Sequence, residues 1–196
     1  MSSREDILGR IRANRPAGQH ELPPIPHFVI PGGERESRLE TFTHALKAMG
    51  GRLIRASEIA SPLVWIREKC PDANTVCSAA PEVSSDRPLE AVKNPRELAD
   101  VDVGVVRAVL GVAESGSVLF TEAELKVNTL AYLSQHLVVL LNESAIVPGL
   151  QDAYTHPVFR DARYAVFHTG PSATADIEGV LIHGAQGVRS LTVIVD

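Results

Sequence analysis

His136–Leu141 reads HLVVLL. Five of its six residues are Leu or Val, so neither face of a two-residue alternation is left polar, and a strand here must be covered on both sides. Strands of that kind belong to parallel sheets with helices above and below. The flanking sequence supplies those helices. Upstream, Ser37-x-x-Glu40 has capping-box spacing and leads an apolar series of Leu39, Phe42, Ala45, Leu46 and Met49, with Gly50-Gly51 as the stop. Arg52–Ala56 (RLIRA) reads as a strand, and Ser61-Pro62 starts another helix with proline at its first position. Thr75–Ser78 is a short strand. Ser84–Asp100, polar and carrying Pro88 and Pro95, is a loop with one helical turn. Val101–Leu110 (VDVGVVRAVL) and Ser117–Thr121 read as strands and Val127–Gln135 as a helix. Downstream, Asn142–Tyr154 contains a helix, and Arg163–His168, Val180–Ile182 and Leu191–Val195 are apolar segments. This interleaving predicts an α/β fold with a largely parallel sheet flanked by helices.

Two parts follow from composition. In residues 1–36, Ser3-Arg-Glu-Asp6 opens a short helix with Ile7, Leu8 and Ile11 as its apolar stripe; Pro16, Pro23, Pro24, Pro26 and Pro31, with Gly18, Gly32 and Gly33, then form an extended arm. The arm is either a tail or a contact for a partner or a second copy. Residues 37–196 form the α/β domain. The chain has 196 residues, 44% of them hydrophobic, enough for one packed core. A net charge of −5 with scattered Lys and Arg argues against a binder of nucleic acid polymers. No apolar run approaches the roughly 18–20 residues of a membrane span, and MSSREDILGR has no signal-peptide core, so a cytoplasmic protein is expected. Cys70 and Cys77 lie seven apart, a spacing that suits neither zinc nor an iron–sulfur cluster, and two reduced thiols are expected.

Three stretches carry possible chemistry. Thr169–Val180 (TGPSATADIEGV) follows an apolar strand and reads as strand, Gly-containing loop, helical turn. The unpartnered first-turn amides of a helix, with the Ser172 and Thr174 hydroxyls, would make a cradle for a small carboxylate, a phosphate or a nucleotide. The plainer reading has Thr169 or Ser172 capping the turn, with Asp176 and Glu178 favourable at its start. Thr169, Gly170, Pro171, Ser172, Thr174, Asp176 and Glu178 are the candidates here. Gly111–Ser117 (GVAESGS) places Glu114 among small residues between two strands. Glu114 could serve as general base or nucleophile, with Ser115 and Gly116 beside the ligand, or it could be a solvated hairpin acid. Ile182–Val188 (IHGAQGV) adds His183 and Gln186. His168 and His183 flank the ADIE segment, but no third ligand joins them, and no metal site is expected.

The run TGPSATADIEGVLIHGAQGVRSLTVIVD resembles the signature of the lactate-utilisation protein C family, the LUD-domain proteins, and GVAESGSVLF and SREDILGRIR are similar to that family's central and N-terminal segments. The resemblance implies a fold like the NagB/RpiA/CoA-transferase group. It also implies a place in L-lactate oxidation to pyruvate beside iron–sulfur partner subunits, with no cofactor on this chain. Where the family often has His-Gly-Pro, this chain has Gln186-Gly187-Val188, which removes any acid–base role for that histidine. A stand-alone enzyme of acyl-transfer or sugar-phosphate chemistry, with Glu114 as base or nucleophile, is the alternative.

Overall fold

The computed structural model describes residues 3–16, 18, 23–24, 35–176 and 178–196. Helix α1 spans Ser3–Ala13, as its start signal predicts, and buries none of its residues. Most of the Pro/Gly-rich arm lies outside the described residues. Helix α2 spans Arg35–Ala48, so it begins two residues before Ser37, which sits in its first turn and not at its cap. Leu39, Phe42 and Leu46 are buried on one face of α2, while Met49 is 48% exposed. Gly50 adopts φ +84°; its amide donates to Lys47 O and that of Gly51 to Leu46 O. This is the paired closure of a Schellman end, which only a left-handed residue permits.

The chain continues through β1 (Arg52–Arg55), α3 (Pro62–Lys69), β2 (Val76–Ser78), β3 (Val103–Arg107), β4 (Leu110–Val112), β5 (Ser117–Thr121), α4 (Glu122–Leu125), α5 (Leu130–Leu133) and β6 (His136–Leu141). It closes with β7 (Ile146–Val147), α6 (Leu150–Tyr154), α7 (Val158–Asp161), β8 (Ala165–His168), β9 (Ala173–Thr174), β10 (Ile182–His183) and β11 (Ser190–Val195). Five strands, in the order β1-β11-β6-β3-β2, are all parallel, as expected from HLVVLL. A second sheet, β7-β4-β5-β8, is mostly antiparallel, and β9 and β10 form a separate two-stranded ribbon.

Alternation along the central strands divides the interior. Leu137, Val139 and Leu141 of β6 point into one core with Phe42 and Leu46 of α2, while Val138 and Leu140 point into another with Trp65 and Ile66 of α3. Val118 and Phe120 of β5 join the first core, so the two sheets share it. The far face of the second sheet is covered by α6 and α7, where Leu110, Val112 and Leu119 meet Ala153, Val158 and Phe159.

Several local expectations are revised. Val101–Leu110 is two strands in two sheets. The Ala108 amide donates to Leu140 O of the central sheet and the next amide, that of Val109, to Leu119 O of the second sheet. Val127–Gln135 holds only the one-turn α5, because Lys126 adopts φ +56° and separates it from α4. Asn142–Tyr154 contains a helix only from Leu150, after a turn and β7. The loop over Ser84–Asp100 has two 3-10 turns, Leu89–Ala91 and Pro95–Leu98. Val180 and Leu181, in a segment read only as apolar, are 61% and 59% exposed. Cys70 and Cys77 are both free thiols.

The β2 edge of the central sheet is closed by its own loop. Val76 N donates to Asp86 Oδ2 (2.8 Å), Asp86 N donates to Val76 O (2.8 Å), and Ser78 N donates to Ser85 Oγ (3.0 Å). Arg67 clamps the Asp86 carboxylate with bonds of 3.0 and 2.8 Å, and these bonds, the Val76 amide first, hold its pKa below the usual carboxylate value. Asp86→Ala strips the fully buried Val76 of its amide acceptor. It should lower unfolding free energy by about 1–3 kcal/mol in urea titrations.

Candidate functional site

The β4–β5 hairpin turns through Ala113–Gly116. Gly116 adopts φ +66°, and a Cβ there would lie 2.3 Å from the Leu46 amide nitrogen, so the turn rests directly on the backbone of α2. Glu114 is exposed on this turn, and its Oε1 accepts from Leu150 N (2.8 Å), at the start of α6. The carboxylate therefore satisfies one of the amides left open at a helix start. Ser115 takes part in a different contact: its Oγ lies 2.7 Å from Ser117 Oγ, which lies 2.6 Å from Thr169 Oγ1. This hydroxyl chain ties the AESGS turn to the TGPS loop, two motifs more than fifty residues apart in sequence.

The TGPS loop is pressed onto the same C-terminal end of α2. Gly170 has φ +71°, and a Cβ there would fall 2.2 Å from Met49 O; one on Gly50 would meet His183 Cε1 at 3.2 Å and Pro171 Cγ at 3.4 Å. No α-carbon bearing a side chain could pack this closely. Beyond Pro171 the expected helix is replaced by the ribbon. Ser172 N donates to Val188 O (2.9 Å), Gly184 N donates to Ser172 O (2.8 Å), and Ala173 and Thr174 pair with His183 and Ile182. Asp176 is exposed and accepts from Thr174 Oγ1 (2.6 Å), and Glu178 is exposed with φ +55°. The helix-terminus basis for an anion cradle is therefore absent among the described residues. Ala173 and Thr174 lie in ribbon pairing with His183 and Ile182.

A cleft of about 290 Å³ gathers Thr169, Gly170, Pro171, Ser172 and Gln186 from the expected set, together with Tyr132, Val166, His168 and Val188. Glu114, Thr174, Asp176, Glu178 and His183 do not line it. Among the described residues its walls carry no Lys, Arg, Asp or Glu. The Ser172 hydroxyl and the Gln186 amide have no protein hydrogen-bond partner among the described residues and are open to a ligand. Sequence reading missed two of the lining groups. The His168 ring is held against Phe120 (centroids 5.3 Å, interplanar 68°) and Tyr132 (4.9 Å, 51°), and its Nε2 is buried without a hydrogen-bond partner among the described residues. Burial pushes the His168 pKa down to about 4, so the ring is neutral at pH 7. The Tyr132 hydroxyl meets that of Tyr164, and burial followed by this contact raises its pKa. A histidine closing an otherwise apolar strand (YAVFH) was the signal available in the sequence.

A larger cavity, about 630 Å³, lies between α2 and the C-terminal ends of β1 and β6, lined by charges of both signs, with Arg55 already paired to Glu143 at 3.4 Å. None of the motif residues reaches it. The smaller cleft, lined by the TGPS loop and Gln186 and tied to the AESGS turn through Thr169, is the candidate site.

This pairing of a central parallel sheet with a motif-bearing second sheet has known counterparts. The model of the LUD domain matches residues 82–195, more than half of the chain, and the chain belongs to the LUD domain family. It is 31% identical over 109 residues to "Lactate utilization protein C" of Geobacillus sp. (strain WCH70), a match spanning 53% of this chain and 45% of that protein. The match thus takes in a little under half the length of that relative. The crystal structure of a DUF162 family protein from Deinococcus radiodurans is similar with a TM-score of 0.63 at 18% identity, over 83% of this chain and 98% of that one.

Because folding favours the neutral His168 ring, the unfolded chain takes up its proton first as pH falls. The stability this contributes is complete above the ordinary histidine pKa of 6.5 and is lost as pH drops towards 4, by up to about 3 kcal/mol. Urea unfolding at pH 7 and pH 4.5 should show this loss. In His168→Phe, whose ring fits beside Phe120 and Tyr132, the loss should shrink measurably.

Proposed function

We propose that this chain is a component of a lactate-utilisation system, works there with iron–sulfur partner subunits, carries no cofactor of its own, and holds a small acid in the Thr169–Ser172 cleft. The observation that carries the reading is the hydroxyl chain Ser115–Ser117–Thr169, which ties the AESGS turn to the loop that lines the cleft. Membership of the LUD domain family and the name of the Geobacillus relative support the lactate assignment. The uncharged walls fit recognition by hydrogen bonding, with the Ser172 hydroxyl and Gln186 amide as donors to a carboxylate, rather than by ion pairing. Phosphate or nucleotide is less well served, because the cleft offers neither a cation nor a helix N-terminus. The competing reading, a stand-alone enzyme with Glu114 as base or nucleophile, needs a carboxylate free to face the ligand, and Glu114 commits Oε1 to the Leu150 amide.

The test is genetic and biochemical. Deleting the gene in the native host should impair growth on L-lactate and leave growth on glucose unchanged, with the wild-type gene restoring it. Glu114→Gln should complement fully, whereas Ser172→Val combined with Gln186→Leu should not. Affinity capture from lactate-grown cells should bring down iron-containing partners. Normal growth of the deletion strain on L-lactate would remove the assignment, and failure of Glu114→Gln to complement would restore the enzyme reading.

A further inference from the structure

Two apolar faces of this chain are left uncovered, and they match. On α1, Ile7 and Ile11 are 54% and 61% exposed and lie one turn apart on a single face, with Leu8 beside them. Arg4 precedes them by a turn, and Arg12 and Arg15 follow. None of these three arginines has an acidic partner among the described residues, whereas Arg10 pairs with Asp6 at 3.1 Å. Residues 3–16 hold four arginines against two acids. The second face is the β9–β10 ribbon. Val180, Leu181 and Ile182 are 61%, 59% and 38% exposed there, and residues 173–183 hold Asp176 and Glu178 with no Lys or Arg. Basic charge flanks one apolar strip and acidic charge flanks the other.

We propose that α1 of one copy of the chain docks on the β9–β10 ribbon of a second copy, with Ile7 and Ile11 against Val180–Ile182 and the free arginines against Asp176 and Glu178. The assignment to a second copy rests on three observations. Both faces belong to this chain and are exposed in it, their charges are complementary, and the segment that joins α1 to the rest of the chain is long. Twenty-one residues separate Ala13 from Arg35, a path of up to about 70 Å when extended, enough to cross to a neighbour. The exchange is reciprocal, so a two-fold pair makes the contact twice. It goes beyond the lactate reading and does not depend on it.

Sedimentation equilibrium on the full chain tests this. The wild type should form a concentration-dependent dimer that weakens as salt rises, since the flanking charges are exposed. Ile7→Asp with Ile11→Asp, and separately Leu181→Asp, should each raise the dimer dissociation constant by at least ~10-fold, the scale of central apolar contacts, with far-UV circular dichroism unchanged. Mixing these two variants should yield a heterodimer tighter than either homodimer, because the intact α1 of one meets the intact ribbon of the other. A monomer at all concentrations overturns the proposal, as would α1 docking on its own ribbon, which gives no heterodimer. A dimer indifferent to both substitutions overturns it equally.

Discussion

The fold depends on one pair of neighbouring amides. Ala108 donates to Leu140 O in the parallel sheet and Val109 donates to Leu119 O in the second sheet, so the chain changes sheets across a single peptide. That change sets β5 back over the central strands, and Val118 and Phe120 enter the same core as Leu137, Val139 and Leu141. A strand that simply ran on to Leu110 would leave the second sheet with no register against the first. The shared core then fixes where the two loops that end the second sheet's strands must lie.

Helix α2 is the surface on which those loops are placed. Gly116 meets its backbone at Leu46, Gly170 meets it at Met49, and its terminal Gly50 touches Pro171 and His183. The first two are approaches to backbone that admit no side chain, which makes the cleft a product of rigid packing and not of loop preference. The uncharged lining follows from the same crowding: the acids of both motifs, Glu114 and Asp176, are turned outward, to the α6 amide and the Thr174 hydroxyl. The function proposed for the cleft therefore rests on neutral donors.

What could be read from the sequence was what depends on local pattern. HLVVLL, LTVIV and RLIRA gave three of the five parallel strands almost to the residue, and Ser61-Pro62 and Gly50-Gly51 marked helix ends correctly. Thr169–Ser172 and Gln186, singled out together in the sequence, line one cleft. The failures depend on distant partners. TADIE has acids where a helix start wants them, yet the pairing of Ala173 and Thr174 with His183 and Ile182 claims that backbone, and nothing within the segment announces it. Glu114 finds its partner thirty-six residues away. His168 was legible as the histidine closing an apolar strand but not as a cleft residue, because its place between Phe120 and Tyr132 comes from sheet pairing and the packing of α5.

The loop that closes β2 determines how copies of this protein can meet. Open sheets invite continuation, since an unpaired edge offers its amides and carbonyls to any passing strand. Here Ser85 and Asp86 occupy the outward amides of Val76 and Ser78 and act as a side-chain substitute for a sixth strand. The opposite margin, β1, is four residues long and begins and ends in an exposed arginine. Two such strands brought side by side would set like charges against each other. Both margins of the central sheet therefore discourage a neighbouring strand from extending it.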